Sequence, residues 1–410
     1  MQPFYQITPL LILISFITTC RSMPRKQPEA VTVVSAPPPS RMVHFAVEGC
    51  CHGELDIIYE RCRQHESMMG VKIDFILCCG DFQSTATEED LQSMAVPEKF
   101  RVLGDFPKYV TAGAPYLTIF IGGNHEASNV LYNQYYGGYV APNIYYLGHA
   151  GVIDVCGIRI GGLSGIFKGG DAHRSYPSPP YNSQTMRSAY HTRTFEMRKL
   201  EAFADVFRGA DGRGVDVMMS HDWPVGITKF GDEEQLIRHK PYFEQDINTN
   251  SLGNPHTLKA LRVIRPSYWF SAHLHCYFHG VVVTEGVRTE FYAQDKCVKD
   301  RKFISFFDMK ATRPITDDKI SIPAEWLHVL ASCKSHLQNS GTSGFLPEGP
   351  LAVNRTMPAG AKGMAASVSD LVAAALTSMD STPVVAVAPG IKRVRSPTKA
   401  VLDDDFIEDV

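Results

Sequence analysis

MVHFAVEGCCHGEL, residues 42–55, carries a short apolar run straight into Cys50, Cys51 and His52. An unbroken apolar run of this length is what a strand buried on both faces requires. The pattern recurs in DFILCC (74–79), YLTIFI (116–121), IRIGGL (158–163), VDVMMS (215–220) and YWFSA (268–272), with longer polar or helical segments between. Segments 53–69 and 194–208 have helical spacing. Strands and helices in this alternation predict an α/β or α+β domain from Met42 to about Met309. At the mouth of the first strand, Cys-Cys-His has three readings: core packing, a disulfide partner, or the first ligands of a metal site.

Composition bounds the choice. With 410 residues, 44% hydrophobic and 20% charged, the chain has enough apolar surface for a full core. A formal net charge of -3 gives no whole-chain sign of nucleic-acid binding, so any such sign must be local. Ten cysteines, including the adjacent pairs Cys50-Cys51 and Cys78-Cys79, suit packing or metal binding in a reducing compartment better than a disulfide framework. At the N-terminus, PLLILISFITTC (9–20) looks like the apolar core of a secretory signal, but the first arginine, Arg21, follows it. The run is also too short to span a membrane. Residues 1–41 are therefore expected to be an extension of a cytosolic or nuclear protein, and Met42 could start a shorter product. Residues 22–40 read as a linker.

Residues 166–190 contain Gly169-Gly170, Pro177, Pro179 and Pro180 and read as one long loop, the kind that usually carries function. A further helix is expected over 317–338, anchored by Trp326 and Leu330, within a C-terminal segment 311–340. Residues 341–410, rich in Ala, Ser, Gly and Pro, are expected to be disordered.

Five strand ends deliver metal-binding or acid–base side chains: Cys50-Cys51-His52, Asp81, Asn124-His125-Glu126, His221-Asp222 and His273-Leu274-His275. Ligands of open α/β sheets bind beyond the carboxyl ends of strands, so these clusters can meet in one crevice. Each alone is more often a hydrogen-bonded structural residue; five at equivalent positions point to a metal site. A carboxylate can give one oxygen to each of two ions, which makes Asp81 the natural bridge. Gly80 and Gly122-Gly123 permit sharp turns beside it, and a turn after Ala272 would let His273 and His275 serve neighbouring ions.

The motifs GD, GNHE, a later His and a terminal His-x-His resemble the calcineurin-like metallophosphoesterases, whose usual Asp-x-His opening is here Cys50-x-His52. GCCHGELD, GGNHEAS, SHDWP, FSAHLH, GGYVAPNIYYLG (137–148), PPYNSQTMRSAYH (179–191) and DKCVKDRKFISFFD (295–308) are similar to its RNA lariat-debranching branch. The resemblance covers about 42–335 and implies a β-sandwich flanked by helices, the catalytic domain occupying 42–310. It implies one ion held by Cys50, His52, Asp81 and His275, and another by Asp81, Asn124, His221 and His273. His125 would contact the phosphate and protonate the leaving oxygen. Cys51 would only pack, and Glu126 and Asp222 would support ligating or catalytic histidines. The expected cofactors are one or two divalent transition ions, Fe(II), Zn(II) or Mn(II); a soft thiolate ligand favours Zn(II) or Fe(II) over Mg(II).

The implied reaction is hydrolysis of the 2′,5′-phosphodiester at the branch of an excised intron lariat, by a nuclear monomer that also meets splicing-associated proteins and needs no membrane. Local charge agrees. Between Ile166 and Lys199 six basic residues (Lys168, Arg174, Arg187, Arg193, Arg198, Lys199) face two acids, interleaved with Phe167, Tyr176, Tyr181, Tyr190 and Phe195. Cations for phosphate and aromatics for unstacked bases suit RNA. An RNA-recognition loop is thus expected over about 166–196, with Lys168, Arg174, Tyr176, Tyr181, Arg187, Tyr190 and His191 as contacts. IKRVRSPTK (391–399) could be a nuclear-import signal. The alternatives are a phosphoesterase of the same fold with another substrate, or a non-catalytic scaffold.

Overall fold

Strands with both faces apolar need a partner layer on each side, and the chain supplies it. A computed structural model describes residues 41–315 and 320–339. The expectations for residues 1–40, 340 and the tail 341–410, import signal included, lie outside the described residues. One six-stranded sheet has the order β12-β1-β2-β3-β5-β4, the other β10-β11-β9-β8-β7-β6. In chain order these are β1 (Met42–Glu48), β2 (Phe75–Cys78), β3 (Thr118–Phe120), β4 (Gly138–Ala141), β5 (Ile144–Tyr146), β6 (Ala150–Val155), β7 (Ile158–Leu163), β8 (Val217–Ser220), β9 (Tyr268–Ser271), β10 (Phe278–Thr284), β11 (Val287–Ala293) and β12 (Ile304–Lys310). The helices of seven residues or more are α1 (Leu55–Met69), α2 (Phe106–Ala112), α3 (Ser183–Tyr190), α4 (Thr194–Val206), α5 (Glu233–His239), α6 (Thr257–Ile264) and α7 (Ala324–Asn339).

Alternation along each strand splits its side chains between two cores. Val43, Phe45 and Val47 of β1, with Phe75 and Leu77 of β2, enter the layer between the sheets, where Val217, Met219 and Phe270 meet them. Phe45 stacks on Phe75 at 5.2 Å and meets Phe270 of the other sheet edge-on at 6.3 Å. Ala46, Ile76, Cys78 and Phe120 face outward onto Leu55, Ile58, Tyr59 and Phe106 of α1 and α2. On the opposite outer face Met218, Trp269 and Phe291 pack under Leu200, Phe203, Leu261 and Trp326. The result is helix, sheet, sheet, helix: the expected sandwich.

The central strands β1-β2-β3-β5 and β7-β8-β9-β11 pair in parallel, so their carboxyl ends share one edge. β12 closes on β1 antiparallel. The C-terminal helix starts only at Ala324, because Pro323 sits at its mouth, and Trp326 packs on Phe203 at 5.9 Å. Leu330 is buried as well. Two departures from the sequence reading stand out. The loop expected over 166–190 contains α3, started by Asn182, whose side chain accepts from the amides of Gln184 and Thr185 while the Thr185 hydroxyl accepts from the Asn182 amide. The hairpin β10–β11 was not expected either. No helix among the described residues is long and apolar enough to cross a membrane, and their nine cysteines are all free.

Candidate metal centre

The shared sheet edge brings the strand-tip residues together. One ligand atom each from Cys50, His52, Asp81 and His275 lies within 4.8 Å of all the others. Beside them, His221 Nε2 is 3.3 Å from Asp81 Oδ1 and 3.2 Å from Asn124 Oδ1. The His273 ring lies 5.0 Å from that of His221, centre to centre, and its backbone N–H donates to Cys50 Sγ at 3.1 Å. The other six ligand candidates thus gather around Asp81, a buried carboxylate between two groups.

Backbone conformation pays for this convergence. His52, Asp81, His273 and His275 have φ of 48°, 49°, 66° and 48°, a left-handed conformation uncommon outside glycine and concentrated at functional sites. Gly80, at φ 116°, makes the turn before Asp81, and a Cβ there would lie 2.2 Å from His221 Nδ1. Gly123 is needed for space, not for a turn: its Cβ would lie 2.1 Å from Asp81 Oδ1.

The donor chemistry fits cations. His221 Nδ1 donates to the Cys79 carbonyl at 2.7 Å, which leaves Nε2 as a lone pair aimed at two oxygens. Three acceptors facing one point repel unless a proton or a metal ion sits among them; without an ion the place goes to a proton, Asp81 outweighing burial to raise the His221 pKa. Burial lowers the pKa of His52 to about 4, of His273 to about 3 and of His275 to about 2, so all three offer neutral nitrogens. Burial works against the charge of Asp81, yet His221 and His125 outweigh it and hold the carboxyl well below its usual range. Cys50 goes the other way: burial, then Asp81, raises its thiol well above the ordinary value. A thiolate there therefore arrives together with a metal ion.

His125 is half-buried, its ring 5.3 Å from that of His52, and its backbone N–H donates to Asp81 Oδ1 at 2.8 Å. Cys51 packs in the outer core. Glu126 and Asp222 do not support histidines by hydrogen bonding. Glu126 is buried and accepts from the amides of Phe82, Gln83 and Gly123 at 2.8, 3.0 and 3.0 Å, tying the β2 and β3 tips together. Asp222 accepts from the amides of Phe167 and Trp223 at 3.1 and 3.0 Å, anchoring the start of the long loop to the β8 tip. Burial raises their pKa values to about 8 and about 6.

The long loop divides into outer and inner residues. Arg174 and Arg187 are exposed and Lys168 and Tyr181 half-buried, the Tyr181 hydroxyl donating to the Ser128 carbonyl at 3.3 Å. Tyr176, Tyr190 and His191 are buried. Tyr176 lies under the Arg193 guanidinium at 4.3 Å and edge-on to His149 at 4.6 Å, while His191 Nδ1 is 2.7 Å from Asp171 Oδ2. Two of the basic residues are internal. Arg193, fully buried, donates to the carbonyls of Arg174, Ser175 and His191 and to the Ser188 hydroxyl. Lys199 pairs with Glu196 at 2.5 Å. In the sequence Arg193 counts toward the loop's basic excess; its position makes it the staple of the loop. No local pattern distinguishes such an arginine from an exposed one.

Strand-tip ligands around a shared carboxylate, between two mixed sheets with helices outside, define a metallophosphoesterase. The chain matches the calcineurin-like phosphoesterase family over residues 43–277, and it belongs to that family. Its sequence is also 45% identical over 313 residues to lariat debranching enzyme A of Xenopus laevis, covering 74% of this chain and 57% of that protein. It is 46% identical to the lariat debranching enzyme of Arabidopsis thaliana (65% and 63% covered) and 42% identical to that of Homo sapiens (75% and 56%). The chain thus spans about half to two thirds of the length of these curated relatives.

Proposed function

We propose that the protein hydrolyses the 2′,5′-phosphodiester at the branch point of excised intron lariats, in the nucleus, releasing a linear RNA. The observation that carries this reading is the convergence of Cys50, His52, Asp81 and His275 at the strand tips, with a basic, aromatic loop fastened beside them through Asp222. Cys50, His52, Asp81 and His275 would hold one ion, and Asp81, Asn124, His221 and His273 the other. Such ions supply Lewis-acid neutralisation of phosphoryl charge and an activated water. His125, half-buried beside His52, contacts the phosphate and gives a proton to the departing 2′-oxygen. Lys168, Arg174, Tyr181 and Arg187 contact the RNA, and Tyr176, Tyr190 and His191 shape the loop from inside. The ion is Fe(II), Zn(II) or Mn(II), the Cys50 thiolate favouring the first two. The protein acts as a monomer and meets splicing-associated proteins.

The test is a rate comparison. Purified protein loaded with each metal is incubated with a synthetic branched RNA and with a linear 3′,5′ RNA of the same sequence. Selective cleavage of the branched RNA supports the reading; equal cutting of both, or activity on phosphate monoesters alone, contradicts it.

A further inference from the structure

The metal centre takes the carboxyl ends of the central strands; their amino ends, on the far side of the sandwich, frame a cleft of about 540 Å³ that is open to solvent. Asp74 lines it just before β2, Pro115, Tyr116 and Leu117 just before β3, and Cys156 from the turn between β6 and β7. Arg41, where the described chain begins, stands at its rim. The Arg41 guanidinium pairs with Asp74, and its carbonyl accepts from the Ala311 amide at 3.0 Å. The two residues after Ala311 hold the Cys156 turn, the amides of Thr312 and Arg313 both donating to the Gly157 carbonyl at 3.0 Å. Burial and then Asp74 raise the Cys156 thiol pKa while Arg41 lowers it, in keeping with three side chains on one rim.

The fold thus delivers the stretch before Arg41 to the cleft. That stretch reads SAPPPS, residues 35–40. Successive prolines favour the polyproline II conformation, which rises about 3.1 Å per residue, so residues 37–40 span about 12 Å. Such a segment suits a wall of Pro115, Tyr116 and Leu117 for three reasons. Aromatic-lined grooves are the usual seats of polyproline II segments. Proline has no backbone N–H that burial could leave unpaired, and its fixed φ keeps the entropy lost on docking small.

We propose that residues 36–40 of this chain dock in the cleft beside Asp74, Tyr116 and Cys156, clamping the N-terminal extension to the end of the sandwich remote from the metal centre. The occupant is the chain's own segment because 40 residues precede Arg41 and the last of them start from the rim. Little intrinsic affinity is needed. A tether of a few residues gives an effective concentration on the order of a millimolar, so a Kd on the order of 0.1 mM keeps the cleft filled about nine-tenths of the time. Docking holds the extension away from the metal crevice and covers Cys156, the only one of the nine described cysteines that is not buried. None of this depends on what the metal centre hydrolyses.

Alkylation of Cys156 by iodoacetamide, followed by peptide mass spectrometry, reads the occupancy of the cleft. Three proteins are compared: the full chain, the full chain carrying Pro37→Asp, Pro38→Asp and Pro39→Asp together, and a chain lacking residues 1–40. Cys156 is expected to react roughly tenfold faster in both variants than in wild type. Buried Cys62 should stay protected in all three, which separates release of the segment from loss of the fold. Should the shortened chain expose Cys62, the triple variant alone decides. Equal Cys156 rates in wild type and the triple variant overturn the contact. A wild-type rate that rises on dilution also overturns it, because the cleft would then be filled by the extension of a second copy.

Discussion

A thiolate at position 50 is softer than a carboxylate and carries a full charge that a serine hydroxyl lacks, so substitutions there separate metal identity from metal binding. Cys50→Ser is expected to lose most bound metal and nearly all phosphodiesterase activity. Cys50→Asp should keep metal and shift preference toward Mn(II). Metal analysis at matched loading checks both, and a Cys50→Ser protein that binds metal and turns over like wild type would remove Cys50 from the ligand set. His125 has the opposite signature: His125→Ala should lower turnover by roughly two to four orders of magnitude with metal content near normal, and loss of metal would make it a ligand. The ligand candidates were legible in the sequence because thiol, imidazole and carboxylate at strand ends have few other uses in combination. The amide-clamping roles of Glu126 and Asp222 were hidden because a carboxylate that clamps backbone amides looks, in sequence, like one that orients a histidine, and Asp222 still acts electrostatically on its neighbour His221; only the fold says which amides lie within reach.

At the scale of elements, β1, β2, β3, β7, β8 and β9 were readable because layers on both faces demand uninterrupted apolar runs. The eight-residue helix α3 was hidden by the Pro179-Pro180 pair before it and by its shortness, although Asn182 and Thr185 carry its capping signal. The loop that holds α3 has a two-part construction, with Arg193 inside and Arg174 and Arg187 outside. Neutralising Arg174 and Arg187 together should weaken branched-RNA binding and flatten its salt dependence, with a far smaller effect on hydrolysis of a small chromogenic phosphodiester. A parallel loss of both activities would mean that these two arginines prop up the centre and do not grip RNA.

Across the whole molecule, stability is tied to pH through histidines that the fold keeps neutral. His149 is one outside the ligand set: burial, with Lys199 and Arg193 adding, lowers its pKa to about 3 from an ordinary 6.5. The unfolded chain therefore takes up this proton first as pH falls. The stabilisation is complete above pH 6.5 and drains away toward pH 3, at about 1.4 kcal/mol per pH unit for one such group. Denaturant unfolding of His149→Phe should accordingly show a stability-versus-pH slope shallower by about that amount between pH 6 and 4, and an unchanged slope would mean that His149 titrates normally in the folded protein.

Debranching breaks one bond, and the products of a single turnover show which bond that is. Mass spectrometry of a branched RNA after exposure to the metal-loaded enzyme is expected to show a linear strand with a free 2′-hydroxyl at the former branch and a second strand with a 5′-phosphate. A phosphate left on the 2′-oxygen, or fragments cut at 3′,5′ linkages with the branch intact, would contradict the proposed hydrolysis.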